Sequence, residues 1–300
     1  MMTNIFCIES PLQLTSAIKV IREKQLKNNF FIVRFNGFKS NDEQLLKLLS
    51  EHKLKFTSMI VEPHSRRIFF LLFHAWFKCF LSYNKASIYL GDFRSLWQRC
   101  FSFFKVKLNI IDDGLATLNI LDKLNCSSSK RKFKVITSLP IKSSMFKNVD
   151  MEFIVSRKKI KRVDESLIVF IGSPLVEKNI VDLNFWEESL SLILNDIEGD
   201  VLYIPHRSEK NIFNIKCDNL HILKIGESIE GYFEKLDLLP SEIHSFYSTA
   251  IVNLATEYDG PRFYSYMIPK SKINHGFKES TINAYSFIGI MGNINVKEIF

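Results

Sequence analysis

The sequence carries no Walker-type glycine loop, no GxGxxG after an expected strand and no GxSxG. These absences weigh against P-loop enzymes, dinucleotide oxidoreductases and serine hydrolases, in that order. The five cysteines, Cys7, Cys79, Cys100, Cys126 and Cys217, are odd in number and scattered, with no CxxC pair. They read as reduced and mostly buried, which fits a cytoplasmic chain. No zinc-ligand spacing joins Cys to His, and no DxD pattern is present to hold a divalent metal. The opening MMTNIFCIESPLQL lacks a basic segment and meets Glu9 too early for a signal peptide. The most apolar helix-like run, IFFLLFHAWFKCFL at 68–81, is 14 residues long and contains His74 and Lys78. A bilayer needs about 20 apolar residues, so this run reads as a buried helix. Arg66 and Arg67 just before it keep in-plane membrane contact open as the alternative. No short-period repeat is visible.

What is present is a globular chain of 300 residues, 46% hydrophobic and 24% charged, with 27 Phe to fill its cores. That length suggests two domains of about 150 residues each. A formal net charge of +8 favours acidic partners: nucleic acid, an anionic membrane face or a phosphorylated substrate.

Strand-like and helix-like segments alternate. NIFCIES reads as a buried strand, and PLQLTSAIKVIREKQL as a helix with Ser10 as cap and Pro11 in its first turn. NNFFIVRF is the next strand. SNDEQLLKLLSEH follows as a helix whose Ser40 and Glu43 form a capping box. KFTSMIVEP, KASIYLGD and VKLNIIDDG read as further strands, with FRSLWQRCFSFF as a helix before the last of them. Two basic stretches, NCSSSKRKFK at 125–134 and SRKKIKRVDES at 156–166, read as solvated loops, the second as a domain linker. The alternation then restarts with SLIVFIGSP, NFWEESLSLILNDI, DVLYIPHR, LHILKIG and SIEGYFEKL. PSEIHSFYSTAIVNLA carries a turn followed by a strand or a helix. Two doubly wound α/β domains facing a central cleft, at 1–155 and 165–300, are the economical architecture.

In such sheets a ligand sits at the carboxyl ends of the strands. Those ends read Glu9-Ser10-Pro11, Gly91-Asp92, Asp112-Asp113-Gly114, Gly172-Ser173-Pro174 and Pro205-His206-Arg207. Two adjacent carboxylates behind an apolar strand are costly unless paired or used. The bland reading of Asp112-Asp113-Gly114 is a turn. A His beside an Arg suits a phosphate, since Arg offers a planar fork and His can give a proton. Ser248 and Thr249 are adjacent hydroxyls suited to phosphate oxygens if a helix starts there; an ordinary N-cap pair is the bland alternative.

Taken together, these residues resemble the bacterial lipooligosaccharide sialyltransferases and their polysialyltransferase relatives. The family's Asp/Glu-Asp-Gly motif is matched by Asp112-Asp113-Gly114, and its Ser-Ser/Thr pair by Ser248-Thr249. Its His-Pro motif is matched in part by His206, because Arg207 stands where the family has proline. The opening ESPLQL also looks like the family's N-terminal segment.

The resemblance implies a GT-B fold with two Rossmann-like domains. It implies CMP-sialic acid as donor, no other cofactor, and metal-free inversion with α-2,3 transfer to a terminal galactose. On that resemblance Asp113 is the base and Asp112 orients its loop, with His206, Ser248, Thr249 and Arg207 at the donor phosphate. Gly172 and Ser173 would let backbone approach the nucleotide, and Glu242 would bind its ribose. Glu9, Ser10, Gln13, Asp92 and Gly114 would form the acceptor loops. The basic segments and the aromatic run favour a lipid-linked acceptor of O-antigen, lipooligosaccharide or capsule at the inner membrane face. Competing readings are a GT-B enzyme using another nucleotide sugar, a polysialyltransferase, and a basic nucleic-acid-binding protein. Against the last, Lys and Arg are spread over both halves.

Overall fold

The computed structural model describes residues 3–60, 73, 77, 86–103, 107–125, 133–143, 146–147, 149–154, 158–210, 215 and 217–299. The chain forms two compact units, Met1–Val155 and Ser156–Phe300.

The first unit holds β1 (Thr3–Ile8), β2 (Asn29–Phe35), β3 (Phe56–Ile60), β4 (Ala86–Leu90), β5 (Lys107–Ile111), β6 (Phe133–Thr137) and β7 (Val149–Phe153). They form one parallel sheet in the order β3-β2-β1-β4-β5-β6-β7. Ile5 to Ile8 of β1 are wholly buried, as a strand covered on both faces requires. Phe6 stacks on Phe31 of β2 at 5.1 Å and on Tyr89 of β4 at 4.4 Å, so one aromatic row crosses three strands. Leu14, Ala17 and Ile18 of the helix Pro11–Glu23 pack on the same core, at the expected helical spacing. That helix starts as expected: Ser10 Oγ accepts the Gln13 N–H at 3.2 Å and Pro11 fills the first turn.

Two expectations change here, and a third falls almost wholly outside the described residues. The helix Lys39–Glu51 has Phe38 at its N-cap and no capping box at Ser40 and Glu43. Asp42 instead accepts the N–H groups of Asn36 (3.2 Å) and Gly37 (2.9 Å), and Asn36 Oδ1 accepts that of Phe38 (3.0 Å). This organises the helix start two residues earlier. Secondly, β5 is not the last strand of its domain, because β6 and β7 follow. Charges interleaved with their apolar residues hide them: Lys134 on β6 pairs with Glu152 on β7 at 2.7 Å. The expected loop at 125–134 thus ends inside β6. Thirdly, the expected buried helix at 68–81 lies outside the described residues apart from Phe73 and Phe77, whose rings are exposed.

The second unit holds β8 (Lys159–Ile160), β9 (Arg162–Ile171), β10 (Val201–Ile204), β11 (Leu220–Ile222), β12 (Leu238–Ser245), β13 (Tyr258–Asp259), β14 (Arg262–Met267) and β15 (Asn295–Glu298). Six strands form a parallel sheet in the order β11-β10-β9-β12-β14-β15, while β8 and β13 pair separately. Counted along the chain, this is the Rossmann order 3-2-1-4-5-6, and the first six strands of the first unit share it. Phe170 of β9 centres the core, with Tyr203 stacked on it at 5.3 Å and Phe246 edge-on at 5.8 Å. The segment PSEIHSFYSTAIVNLA resolves into both alternatives: β12, then the helix Thr249–Glu257.

The charged run at 156–166 is largely strand rather than linker. Arg162, Val163 and Asp164 already pair with Leu238, Leu239 and Pro240 of β12, so the second unit begins ahead of residue 165. Its charges are used locally. Lys158 pairs with Asp259 at 2.5 Å and Lys159 with Glu234 at 3.1 Å. Lys161 Nζ donates to the carbonyls of Phe233 (3.2 Å), Glu234 (2.8 Å) and Leu236 (2.6 Å), closing the end of the helix Ile229–Lys235. A cation there satisfies orphan carbonyls and suits the helix dipole. Lys161→Met keeps the aliphatic stem and removes these bonds. It is expected to lower stability by about 1–2 kcal/mol in urea unfolding.

Candidate active site

Each sheet reverses its strand order at one point, between β1 and β4 in the first unit and between β9 and β12 in the second. Ligands of open parallel sheets bind beyond the carboxyl ends of the strands at such points. Nearly all of the expected residues lie in the loops that leave those ends.

In the first unit, Glu9 and Ser10 follow β1, Gly91 and Asp92 follow β4, and Asp112 to Gly114 follow β5. Glu9 is a hub. Its Oε2 accepts from Arg34 of β2 (2.8 Å) and from Trp97 Nε1 (3.0 Å), and its Oε1 from Gln98 Nε2 (3.3 Å). Gln13 Oε1 accepts the Glu9 N–H at 2.9 Å. A Cβ on Gly91 would stand 2.3 Å from that Gln13 oxygen, so glycine leaves the room that the Gln13 side chain occupies. Glu9 therefore serves the loop architecture, and Gln13 joins it.

The adjacent aspartates divide. Asp112 is buried, and its Oδ2 accepts the Ser138 N–H (2.6 Å) and hydroxyl (3.1 Å) beyond β6. It ties β5 to the next strand's loop. Burial raises its pKa, and the Thr137 and Ser138 bonds oppose that. Asp113 faces the β1 and β4 loops. Its Oδ2 accepts from Arg94 at 3.2 Å, and Ser10 Oγ lies 3.5 Å from its Oδ1. Its N–H donates to Thr117 Oγ1 at 2.9 Å, while Gly114 takes the turn at φ +64°. Burial and the Asp92 charge push the Asp113 pKa up to about 7, and Arg94 and Gln13 offset only part of this. Such a carboxylate is suited to take a proton near neutral pH.

In the second unit, Gly172 and Ser173 follow β9 and His206 and Arg207 follow β10. Their loops are joined by Glu209, which accepts the Tyr203 hydroxyl (2.6 Å) and the His206 N–H (2.8 Å), with a further bond from the Ser173 backbone. A Cβ on Gly172 would stand 2.0 Å from the Glu209 Oε2. Burial drives the Glu209 pKa up to about 7. His206 Nδ1 accepts the Ser208 N–H at 3.1 Å, so the neutral ring carries its proton on Nε2. Burial, followed by the charges of Arg207 and Lys178, lowers its pKa to about 3. His206 is thus a neutral hydrogen-bond donor rather than a store of protons at neutral pH.

Across the switch point, Ser173 Oγ donates to the Tyr247 carbonyl at 3.1 Å. Ser248 comes next: its Oγ accepts the Ala250 N–H at 3.0 Å as N-cap of the helix that Thr249 opens. The N-cap role of Ser248 is the one the hydrogen bonds show.

Glu242 is not brought to this end. It lies within β12, upstream of Ser245, bonded to His244 Nε2 (2.9 Å) and Arg262 (2.7 Å). Sequence reasoning missed Arg34, Arg94, Trp97 and Gln98 in the first unit and Tyr203 and Glu209 in the second. The available signals were the Asp-x-Arg spacing after β4 and an acid three residues after His206. Among the described residues, no group of three or more His, Cys, Asp or Glu is placed to hold a metal ion. No described helix is long and apolar enough to cross a membrane.

Two Rossmann-like units in one chain define the GT-B fold, the class shared by many glycosyltransferases and sugar-nucleotide epimerases. Solved structures of that class match the chain over nearly its whole length. Anabaena HepE, in complex with UDP and glucose, matches with TM-score 0.54 at 10% identity, over 98% of this chain and 96% of its own. The UDP-GlcNAc 2-epimerase of Methanocaldococcus jannaschii matches with TM-score 0.55 at 12% identity, over 100% and 89%. The glycosyltransferase SnogD of Streptomyces nogalater matches with TM-score 0.51 at 9% identity, over 100% and 88%. No protein-family model matches the sequence, and neither does any curated protein.

Two outcomes follow from this geometry. Asp113 takes up its proton more readily folded than unfolded, so its stabilising contribution is full below the ordinary value of 3.8 and is lost as pH rises towards 7. Asp113→Asn should therefore be more stable than the wild type at pH 8, by on the order of 2 kcal/mol, and nearly equal at pH 4 in denaturant titrations. Gly172→Ala should lose about 2 kcal/mol or more in denaturant titration and lower the thermal unfolding midpoint. Gly276→Ala, with nothing within 4 Å of the added Cβ, should match the wild type in both measurements.

Proposed function

We propose that the chain is an inverting, metal-independent sialyltransferase. It moves sialic acid from CMP-sialic acid to the terminal galactose of a bacterial surface glycan. The observation that carries this reading is Asp113, a carboxylate beside the switch point with a pKa near 7. The order Asp113, His206, Ser248-Thr249 supports sialyl transfer in particular, and the GT-B fold is compatible with glycosyl transfer in general.

In this reading Asp113 accepts the proton of the acceptor hydroxyl as its oxygen bonds to the anomeric carbon. The bond from that carbon to the phosphate oxygen breaks, and its electron pair leaves with CMP. Inversion follows from attack opposite the leaving group. The phosphate gains charge as it departs, so donors aimed at it lower the barrier. His206 Nε2–H and the Ser248 and Thr249 hydroxyls at the helix start are those donors, and Arg207 adds a cation. Gly172 and Ser173 place backbone beside the nucleotide. Asp112 keeps the base loop in place through Ser138. The exposed rings of Phe73 and Phe77 support contact with the membrane face that would carry a lipid-linked acceptor.

A second reading is a GT-B enzyme for a UDP-sugar, favoured by the UDP bound in the HepE structure. Thermal shift with CMP, UDP and GDP separates the two: CMP giving the largest shift supports sialyl transfer, and UDP doing so overturns it. Incubation with CMP-sialic acid and lactose in the presence of chelator should yield sialyl-lactose. Loss of turnover with chelator removes the metal-free mechanism. Asp113→Ala should cost at least about a hundredfold in rate, with the CMP-induced shift retained.

A further inference from the structure

Arg94 meets two carboxylates unequally. Its Nε bonds Asp92 Oδ1 at 2.9 Å and its terminal NH2 group bonds Asp92 Oδ2 at 3.0 Å, a planar fork. The same NH2 group reaches Asp113 Oδ2 by one longer bond of 3.2 Å. Asp92 is itself fixed by its own loop. It accepts the Arg94 backbone N–H at 2.8 Å, and its N–H donates to Gln98 Oε1 at 2.9 Å. Gln98 in turn bonds Glu9.

The charges around Asp113 can be counted element by element. From the β1 end comes Glu9, tied to Arg34. The β4 loop supplies Asp92 and Arg94. Ser10, Gln13 and Thr117, from the two neighbouring helices and their caps, are uncharged. On its own loop, Asp112 is engaged by Ser138. Arg94 is therefore the cation that touches Asp113 in this set, and Asp92 already holds it.

We propose that Asp92 is a positioning residue for the base: by engaging Arg94 at two points, it leaves one N–H to orient Asp113 and supplies Arg94 with a counter-ion when Asp113 takes up a proton. Without Asp92, Arg94 is free to turn its fork onto Asp113. A two-point ion pair would hold that carboxylate ionised and weaken it as a base. With Asp92 present, protonating Asp113 leaves a neutral Asp92–Arg94 pair rather than a stranded guanidinium. This inference rests on Asp113 acting as the base.

The test follows the carboxyl 13C shift of Asp113 against pH in the wild type, Asp92→Asn and Arg94→Met. The pH dependence of kcat/KM for transfer is measured in parallel. Asp92→Asn should lower the Asp113 midpoint by about one unit or more, a tenfold change in proton affinity. The acid limb of the rate profile should move with it. Arg94→Met should move the midpoint upward, and opposite shifts exclude a common loss of structure. An Asp113 midpoint that stays put or rises in Asp92→Asn overturns the proposal. The carboxyl titration needs no substrate, so midpoints that shift as expected in a chain without transferase activity would overturn the base role and leave the clamp standing.

Discussion

The Glu9 carboxylate accepts bonds from β2 and from the short helix after β4, while its backbone meets Gln13. A charge at the end of a wholly buried strand is tolerated only when paired and hydrogen-bonded. That requirement brings Arg34, Trp97 and Gln98 to one point, and Gln98 then fixes Asp92. The position of Arg94, and through it the setting of Asp113, follows from Glu9. The second unit repeats the arrangement with a different balance of charge. Glu209 gathers the loops after β9 and β10 as Glu9 gathers those after β1 and β4, but its named partners are a hydroxyl and backbone N–H groups. Glu9 is an ion-paired carboxylate, while Glu209 titrates near neutral pH.

Neighbouring aspartates of identical chemistry acquire different duties in the same way. Asp112 turns to the β6 loop, where its Oδ2 accepts twice from Ser138; Asp113 turns to the switch point and is left with one long ionic bond. The distinction is set by which strand follows β5, a feature of the sheet rather than of the dipeptide. Divergent environments around paired carboxyl groups are a general way to separate a structural acid from a reactive one.

Much of the architecture could be read from the sequence because its local signals agree. Ser10 and Pro11 mark a helix start, and continuous apolar runs such as Ile5 to Ile8 mark covered parallel strands. The strand-end residues were legible because doubly wound sheets place ligands there. What escaped has a physical reason in each case. β6 and β7 carry Lys134 and Glu152, which pair across strands and break the apolar pattern. The run at 156–166 looks like solvent-seeking charge, yet Lys161 spends its ammonium on three carbonyls of a helix distant in sequence. Arg94 and Glu209 each join a local partner to one that no local window contains, Asp113 and the Ser173 backbone respectively. Glu242 was placed by analogy with a motif neighbour, whereas the length of β12 carries it away from the strand end.

The bond from Ser173 to the Tyr247 carbonyl ties the end of β9 to the end of β12. The His206 loop is fastened to Ser173 through Glu209, and Ser248 follows Tyr247 directly. The groups suited to receive a phosphate are therefore joined into one hydrogen-bonded cradle. On the proposed function, a nucleotide landing there would have little loop entropy to remove, so its capture would resemble a lock-and-key encounter rather than an induced closure.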